Sequence, residues 1–230
     1  MELIDKVIIL KTADHKEKNK TLTVFGLKNG LNNLLARGIK EKNAKLKFLG
    51  LPFVFCEVEL LSAGGAVIKT ATLIESFSNI SKSIEKYESA CFCTQAILIL
   101  GQKDEEGGLL FKLFLEALMK INSDEDGFEW QHAVSFVLTA LSGSGYKMIF
   151  EACVACGDGA LSPAFLNFVS GELLCRNCAS NGATQVKAST VETFKKIERG
   201  AFNDISAESL GSARKFLNQV FISIFDRKLI

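Results

Sequence analysis

Apolar and polar positions along this chain follow two different periods, and the change from one to the other divides it. Over the first 75 or so residues the period is two. Residues 6–12 are rich in β-branched side chains between polar neighbours, and residues 21–27 set Leu22 and Val24 against Thr21 and Thr23. Both segments read as strands. Lys28-Asn29-Gly30 supplies a turn in which glycine is free to take positive φ, and residues 31–38 form a third strand. A fourth, residues 53–61, places Val54, Cys56, Val58 and Leu60 on one face and Phe53, Phe55, Glu57 and Glu59 on the other. Ser62-Ala63-Gly64-Gly65 turns the chain into a fifth strand at 66–74. Five short strands in so short a span predict a small closed barrel such as the OB-fold.

Beyond Ser76 the period becomes helical. Ile80, Ile84, Tyr87, Cys91 and Leu98 share one face of a long helix, with Cys91 in its core and Cys93 pointing elsewhere. Residues 109–121 are apolar nearly all round, as in a helix buried within a helical core. Residues 128–141 form a third helix, which carries the only tryptophan, Trp130. Ser189-Thr190-Val191-Glu192 reads as a capping box that opens a helix to about Arg199. Leu210, Ala213, Leu217, Val220, Phe221 and Ile224 make the last helix amphipathic. Acidic loops at 104–106 and 124–126 separate these helices.

The cysteines add the sharpest local signal. Cys153-Val-Ala-Cys156 and Cys175-Arg-Asn-Cys178 are two C-x2-C pairs separated by 18 residues, which is zinc spacing. Four thiolates complete a closed tetrahedron with no position left for a catalytic water, so one structural zinc ion is expected. The expected architecture is α+β in two domains. Residues 1–77 form an OB-fold nucleic-acid-binding barrel, and residues 78–230 form a helical domain with a zinc module inserted at 150–180. The remaining cysteines, Cys56, Cys91 and Cys93, follow no pattern. An odd total of seven suits a reducing cytosol better than a disulfide framework. With no export signal and no apolar run near the ~18 residues of a membrane span, a cytoplasmic protein without a membrane partner is expected.

Charge changes the picture at one place. The net charge is only +1, yet residues 1–50 hold eleven Lys/Arg against five Asp/Glu. Most of that excess lies between strands three and four, where Arg37, Lys40, Lys42, Lys45 and Lys47 face a single acid, Glu41. Lys11 and Lys20 are candidate additions, and the run His15-Lys16-Glu17-Lys18-Asn19-Lys20 fits the same basic surface. Such a loop supplies phosphate contacts that weaken with salt; on charge alone it is equally a solvated loop. Phe53 and Phe55 are either stacking platforms for unpaired bases or barrel core.

Signals for catalysis are missing. His15 lies in a charged loop, and His132 sits on a predicted helix where packing or exposure is its ordinary role. No P-loop occurs, and Ser142-Gly143-Ser144-Gly145 lacks the strand and third glycine of a dinucleotide turn. A thiol redox enzyme using one C-x2-C pair competes poorly with two pairs at zinc spacing and no βαβ context.

In order along the chain, Val7-Ile-Ile-Leu-Lys-Thr12, Thr23-Val-Phe-Gly-Leu-Lys-Asn-Gly30, Ala36-Arg-Gly38, Pro52-Phe-Val-Phe-Cys-Glu-Val-Glu-Leu60, Leu110-Phe111, Phe128-Glu129 and the cysteine quartet resemble the RecO family, the bacterial recombination mediators of the RecF pathway. The resemblance covers residues 5 to about 180 in order, and the last 50 match by helical character alone. It implies an OB-fold joined to a helical domain and binding of single- and double-stranded DNA. It also implies annealing of complementary strands and loading of RecA onto DNA coated by single-strand binding protein. The implied partners are RecR, the C-terminal tail of single-strand binding protein, RecA and in some bacteria RecF, and the implied location is the bacterial nucleoid. Some members lack the cysteines, in keeping with a structural metal. The family's loop after Ala-Arg-Gly is typically arginine-rich, whereas this chain reads Ile39-Lys40-Glu41-Lys42. Lysine keeps the phosphate contact but not the planar fork. The competing expectation is an OB and zinc-ribbon protein that binds RNA or assists ribosome assembly.

Overall fold

Alternation in the first 75 residues becomes five antiparallel strands. The computed structural model describes residues 3–61, 66–103, 107–123, 125, 127–159, 161, 163–167, 171–179 and 182–229. The strands are β1 (Ile4–His15), β2 (Asn19–Gly26), β3 (Gly30–Ala36), β4 (Phe55–Leu60) and β5 (Ile68–Glu75), hydrogen-bonded in the order β3-β2-β1-β4-β5. The two edges then meet. Leu35 of β3 bridges Val67 in parallel, and its N–H donates to the Ala66 carbonyl at 2.6 Å. A meander of three strands, closed through β4 and β5, is the OB arrangement. The turn at 62–65 and the acidic runs 104–106 and 124–126 fall wholly or partly outside the described residues.

Every second side chain fills the barrel. Val7, Ile9, Leu22, Val24, Leu34, Val54, Cys56, Val58 and Leu60 are all buried there, with Ile39 and Leu49 from the long loop between β3 and β4. Burial pushes the Cys56 thiol up to about 12, so it packs as a small hydrophobe. Phe53 stands just ahead of β4 rather than within it, because its backbone takes a left-handed φ of 65°. One buried carboxylate pins the β2–β3 connection: Asp5, 2% exposed, accepts from the Lys28 and Asn29 N–H groups, each at 3.0 Å.

The outer face of the barrel decides where the first helices pack. Ile8 pairs with Phe25 on one side and Phe55 on the other, an apolar row across three strands that water would solvate poorly. The row is covered by α2 (Gly108–Ser123), whose Phe111 ring lies 5.9 Å from Phe25 and 6.0 Å from Phe55. α1 (Ile84–Leu100) packs beside α2. Residues to Ser123 therefore form one compact unit and the remainder a second. Gly107 permits the close approach, since a Cβ there would overlap the Gly26 carbonyl oxygen.

Both helices bury faces other than those expected. On α1 the buried apolar residues are Ala90, Phe92, Cys93, Ala96 and Ile97, while Ile84 is 73% exposed. Cys93, expected to point elsewhere, is fully buried and its thiol is pushed up by desolvation. A stretch that is apolar around most of its circumference leaves the choice of face to its packing partner. α2 is one-sided rather than enclosed, with Phe111, Phe114, Leu118 and Ile121 inward and Leu109 and Met119 exposed.

The second unit holds α3 (Glu129–Gly143), α4 (Ala188–Glu198) and α5 (Ala207–Phe225). Its core is aromatic: Phe150 stacks on Phe194 at 4.6 Å, Phe194 meets Phe216 at 5.2 Å, and the Arg214 guanidinium lies 3.2 Å above the Trp130 ring. Between α3 and α4 the chain forms three strands, β6 (Ala164–Asn167), β7 (Glu172–Cys175) and β8 (Thr184–Val186), ordered β7-β6-β8. The expected capping box is not formed. Helix α4 starts at Ala188, so Ser189 is already inside it, and Glu192 pairs with Lys195 at 3.1 Å. The serines that do cap are Ser83 on α1 and Ser206 on α5, which accept from the Lys86 and Ser209 N–H groups.

Candidate metal centre and nucleic-acid interface

The small sheet explains how four distant cysteines meet. β7 ends on Cys175, where the chain turns back so that the Cys178 and Ala179 N–H groups donate to the Cys175 carbonyl at 3.1 and 3.0 Å. The other knuckle closes when the Gly157 N–H donates to the Cys153 carbonyl at 2.8 Å, with Gly157 at a φ of 75° that glycine adopts freely. The Val154 N–H donates to Leu173 on β7, which docks one knuckle against the other. As a result the sulfurs of Cys153, Cys156, Cys175 and Cys178 all lie within 4.8 Å of one another, with Cys156 and Cys175 at 3.8 Å.

That geometry fits a metal ion. Metal–sulfur bonds of about 2.3 Å in a tetrahedron place neighbouring sulfurs about 3.8 Å apart. The electrostatics agree. Backbone N–H groups, chiefly that of Cys175, hold the Cys153 thiol at about 6, so a thiolate is stable there. The surrounding sulfurs push Cys178 up to about 12. Four thiols this close cannot all ionise unless a cation neutralises them. Cys153 and Cys175 are buried, whereas Cys156 is exposed and Cys178 partly so. No fifth donor appears with them among the described residues, so the set is closed.

The basic residues gather at one end of the barrel. The β1–β2 hairpin tip and the loop after β3 are tied together: the Gly38 N–H donates to Asn19 Oδ1 at 3.0 Å, and the Lys40 N–H to the Lys18 carbonyl at 3.2 Å. Arg37, Lys40, Lys42, Lys45 and Lys47 are all exposed. Lys20 is half-buried, with Nζ 3.5 Å from the Gly50 carbonyl. Lys16 and Lys18, at the hairpin tip, join this surface and were legible only as members of a lysine run. Acids are interleaved. Asp14 pairs with Lys40 at 2.6 Å, which holds its carboxyl below the usual range, and Glu41 pairs with Lys18 at 3.2 Å. These pairs are exposed, so they hold the loop weakly and exchange readily.

Lys11 reaches the surface through a β-bulge. The register shifts between Ile9 and Lys11, so Ile9 faces inward opposite Val24 while Lys11 turns outward opposite Thr23. Thr23 in turn faces Asn33, with Oγ1 donating to Asn33 Oδ1 at 2.8 Å. Lysine, threonine and asparagine thus form a polar row across β1, β2 and β3, the side on which OB barrels commonly receive oligonucleotides. Phe53 and Phe55 pack against protein. Phe53 is 4% exposed with an edge contact to Tyr87, and Phe55 lies against Phe111. His132 meets Phe202 edge-on at 5.2 Å. No helix among the described residues is long and apolar enough to cross a membrane.

Comparison with known proteins agrees over nearly the whole length. The family model described as Recombination protein O N terminal matches residues 1–77, and that described as Recombination protein O C terminal matches residues 81–221. A curated relative from Clostridium novyi (strain NT), named DNA repair protein RecO, is 26% identical over 231 residues, spanning 97% of this chain and 89% of the relative. Proteins of the same name from Clostridium perfringens (strain 13 / Type A) and Frankia casuarinae (strain DSM 45818 / CECT 9043 / HFP020203 / CcI3) are 23% and 26% identical. They cover 96% and 85% of this chain, and 92% and 81% of their own lengths. With an OB barrel, a lysine-rich end, a four-cysteine sheet and both halves matched, the chain belongs to the RecO family of DNA repair proteins.

Proposed function

We propose that this protein is a non-enzymatic recombination mediator. It binds single- and double-stranded DNA through the basic end of the barrel, anneals complementary strands, and with RecR helps load RecA onto DNA coated by single-strand binding protein. Arg37, Lys40, Lys42, Lys45 and Lys47, with Lys11 and Lys20, neutralise phosphates on two strands and so lower the repulsion that keeps them apart. The single observation that carries the reading is that the β3–β4 loop and the hairpin tip present these cations on one end of an OB barrel in a RecO-family chain. Cys153, Cys156, Cys175 and Cys178 hold one structural zinc ion, which cross-links segments joined otherwise by strands of three or four residues. The second unit receives the C-terminal tail of single-strand binding protein, and RecF joins in some settings. The work takes place at the nucleoid in the cytoplasm.

The test is annealing of complementary strands coated with single-strand binding protein, with and without RecR. The expected result is annealing that depends on this chain and fails when Arg37, Lys40 and Lys42 are all changed to Glu. A chain that binds RNA but neither anneals nor binds DNA would sink the proposal.

A further inference from the structure

The lysine end accounts for phosphate contact, but none of its described residues is an exposed Phe, Tyr or Trp. Among the aromatic residues of the first unit, one stands apart. Tyr87 on α1 is 43% exposed, whereas Phe53 behind it is 4% exposed and meets it edge-on, with ring centroids 5.5 Å apart and planes at 77°. A core aromatic would be covered on its faces; Tyr87 is steadied by Phe53 and keeps 43% of its surface exposed. Its hydroxyl meets the Cys91 thiol one turn further along α1.

The position of Tyr87 relative to the polar row is the second observation. The Phe53 N–H donates to the Ile9 carbonyl at 2.7 Å, which sets Phe53, and with it the Tyr87 ring, beside the stretch of β1 that carries Lys11; the Lys11 ammonium also acts on the Cys91 thiol. From Lys11 the row continues to Thr23 and Asn33. On the next residue of β1, the Thr12 hydroxyl donates to the Gly50 carbonyl at 3.4 Å, the same oxygen that Lys20 Nζ approaches. The end of β1 thus presents polar groups on both of its faces, Thr12 toward Lys20 and the basic loop, and Lys11 toward Thr23 and Asn33 beside the exposed ring. Unpaired nucleic acid needs this combination, because phosphates follow the cations while an open aromatic face accepts a base. Duplex DNA has its bases stacked on one another and gains nothing from the ring. The exposed carboxylate of Glu88, next to Tyr87, also acts on Cys91 and repels phosphate, which favours passage of the backbone on the Lys11 side.

We propose that Tyr87 is a base-stacking platform for single-stranded DNA, with Lys11 holding the adjacent phosphate. This deepens the reading given above and rests on it. Phe53 and Phe55, the two rings that sequence alone offered for stacking, are occupied by Tyr87 and Phe111, so the role passes to a helix residue outside the barrel.

The experiment measures binding of the full chain to a labelled oligo-dT and to a duplex of equal length, each over a salt series, for Tyr87→Phe, Tyr87→Leu and the unaltered protein. Tyr87→Phe should bind as the unaltered chain does. Tyr87→Leu keeps an apolar side chain against Phe53 but has no π face, so its single-strand affinity should fall about 5- to 100-fold. Duplex affinity and the salt slope should stay unchanged. A Tyr87→Leu protein that melts normally and binds oligo-dT as tightly as the unaltered chain would overturn the inference, and so would equal loss on both DNAs. Failure of the unaltered chain to bind either DNA would instead overturn the mediator reading, and the two failures are distinguishable.

Discussion

The barrel and the cysteine-bearing sheet are both small β structures that present chemistry on loops, but they are held together in different ways. The barrel has strands of six to twelve residues, a filled interior and a second apolar layer under α1 and α2. Its cations are exposed and touch little of that core, so the surface can change while the fold stays. The sheet of β6, β7 and β8 has strands of three or four residues, and two of its four sulfurs, those of Cys153 and Cys175, are buried within it. There the site and the fold are the same set of atoms. The barrel surface can therefore change without disturbing its core, whereas a change at Cys153 or Cys175 alters the packing of the sheet itself.

Cys175→Ser tests that contrast most severely. It should abolish stoichiometric zinc and melt the sheet, costing at least a few of the ~10–16 kcal/mol that structural zinc sites supply in small domains. Metal analysis and thermal unfolding would show it, while DNA affinity of the barrel is expected to survive at low temperature. Normal folding with lost DNA binding would break the division of labour. Next in size, Phe111→Ala should destabilise the first unit by about 3–5 kcal/mol, because the ring fills space between α2 and two barrel strands. A loss below about 1 kcal/mol in denaturant titration would mean that α2 is not part of the barrel unit. The triple change of Arg37, Lys40 and Lys42 to Glu should leave the melting temperature within a few degrees of the original. It should weaken DNA binding at least tenfold and flatten the salt dependence by roughly three phosphate contacts. Smallest is Asp14→Asn. Freeing Lys40 from its exposed partner should tighten DNA binding less than tenfold and steepen the salt slope by up to about one contact. A slope that stays the same would show that Lys40 does not reach phosphate.

Much of this was legible from residue order, for reasons that differ by element. Val54, Cys56, Val58 and Leu60 alternate because a barrel strand has one dry face, and all four are buried as the pattern implied. The quartet was legible because two-residue gaps are a local requirement of one ion. The face of α1 was not legible: residues 90–100 are apolar on several sides, and Cys93 could be placed only once its packing partner was known. Phe53 and Phe55 were ambiguous for the same reason, since an aromatic ring on a strand suits a base or a helix equally well. The start of α4 shifted because Lys187 adopts an extended backbone ahead of Ala188, which takes the cap position from Ser189.

Local rules, then, were enough for the strands of the barrel, the sign of its charged end and the pairing of the cysteines. These depend on the alternation of side chains along a strand, on composition and on ligand spacing, all of which act within a few residues. Tertiary structure decided which surfaces those elements share. The apolar row Ile8, Phe25 and Phe55 draws α2 onto the barrel, and a single bulge at Leu10 turns Lys11 from the interior to the polar row. Both outcomes depend on contacts between residues far apart in the chain, where burial of apolar area outweighs any local preference.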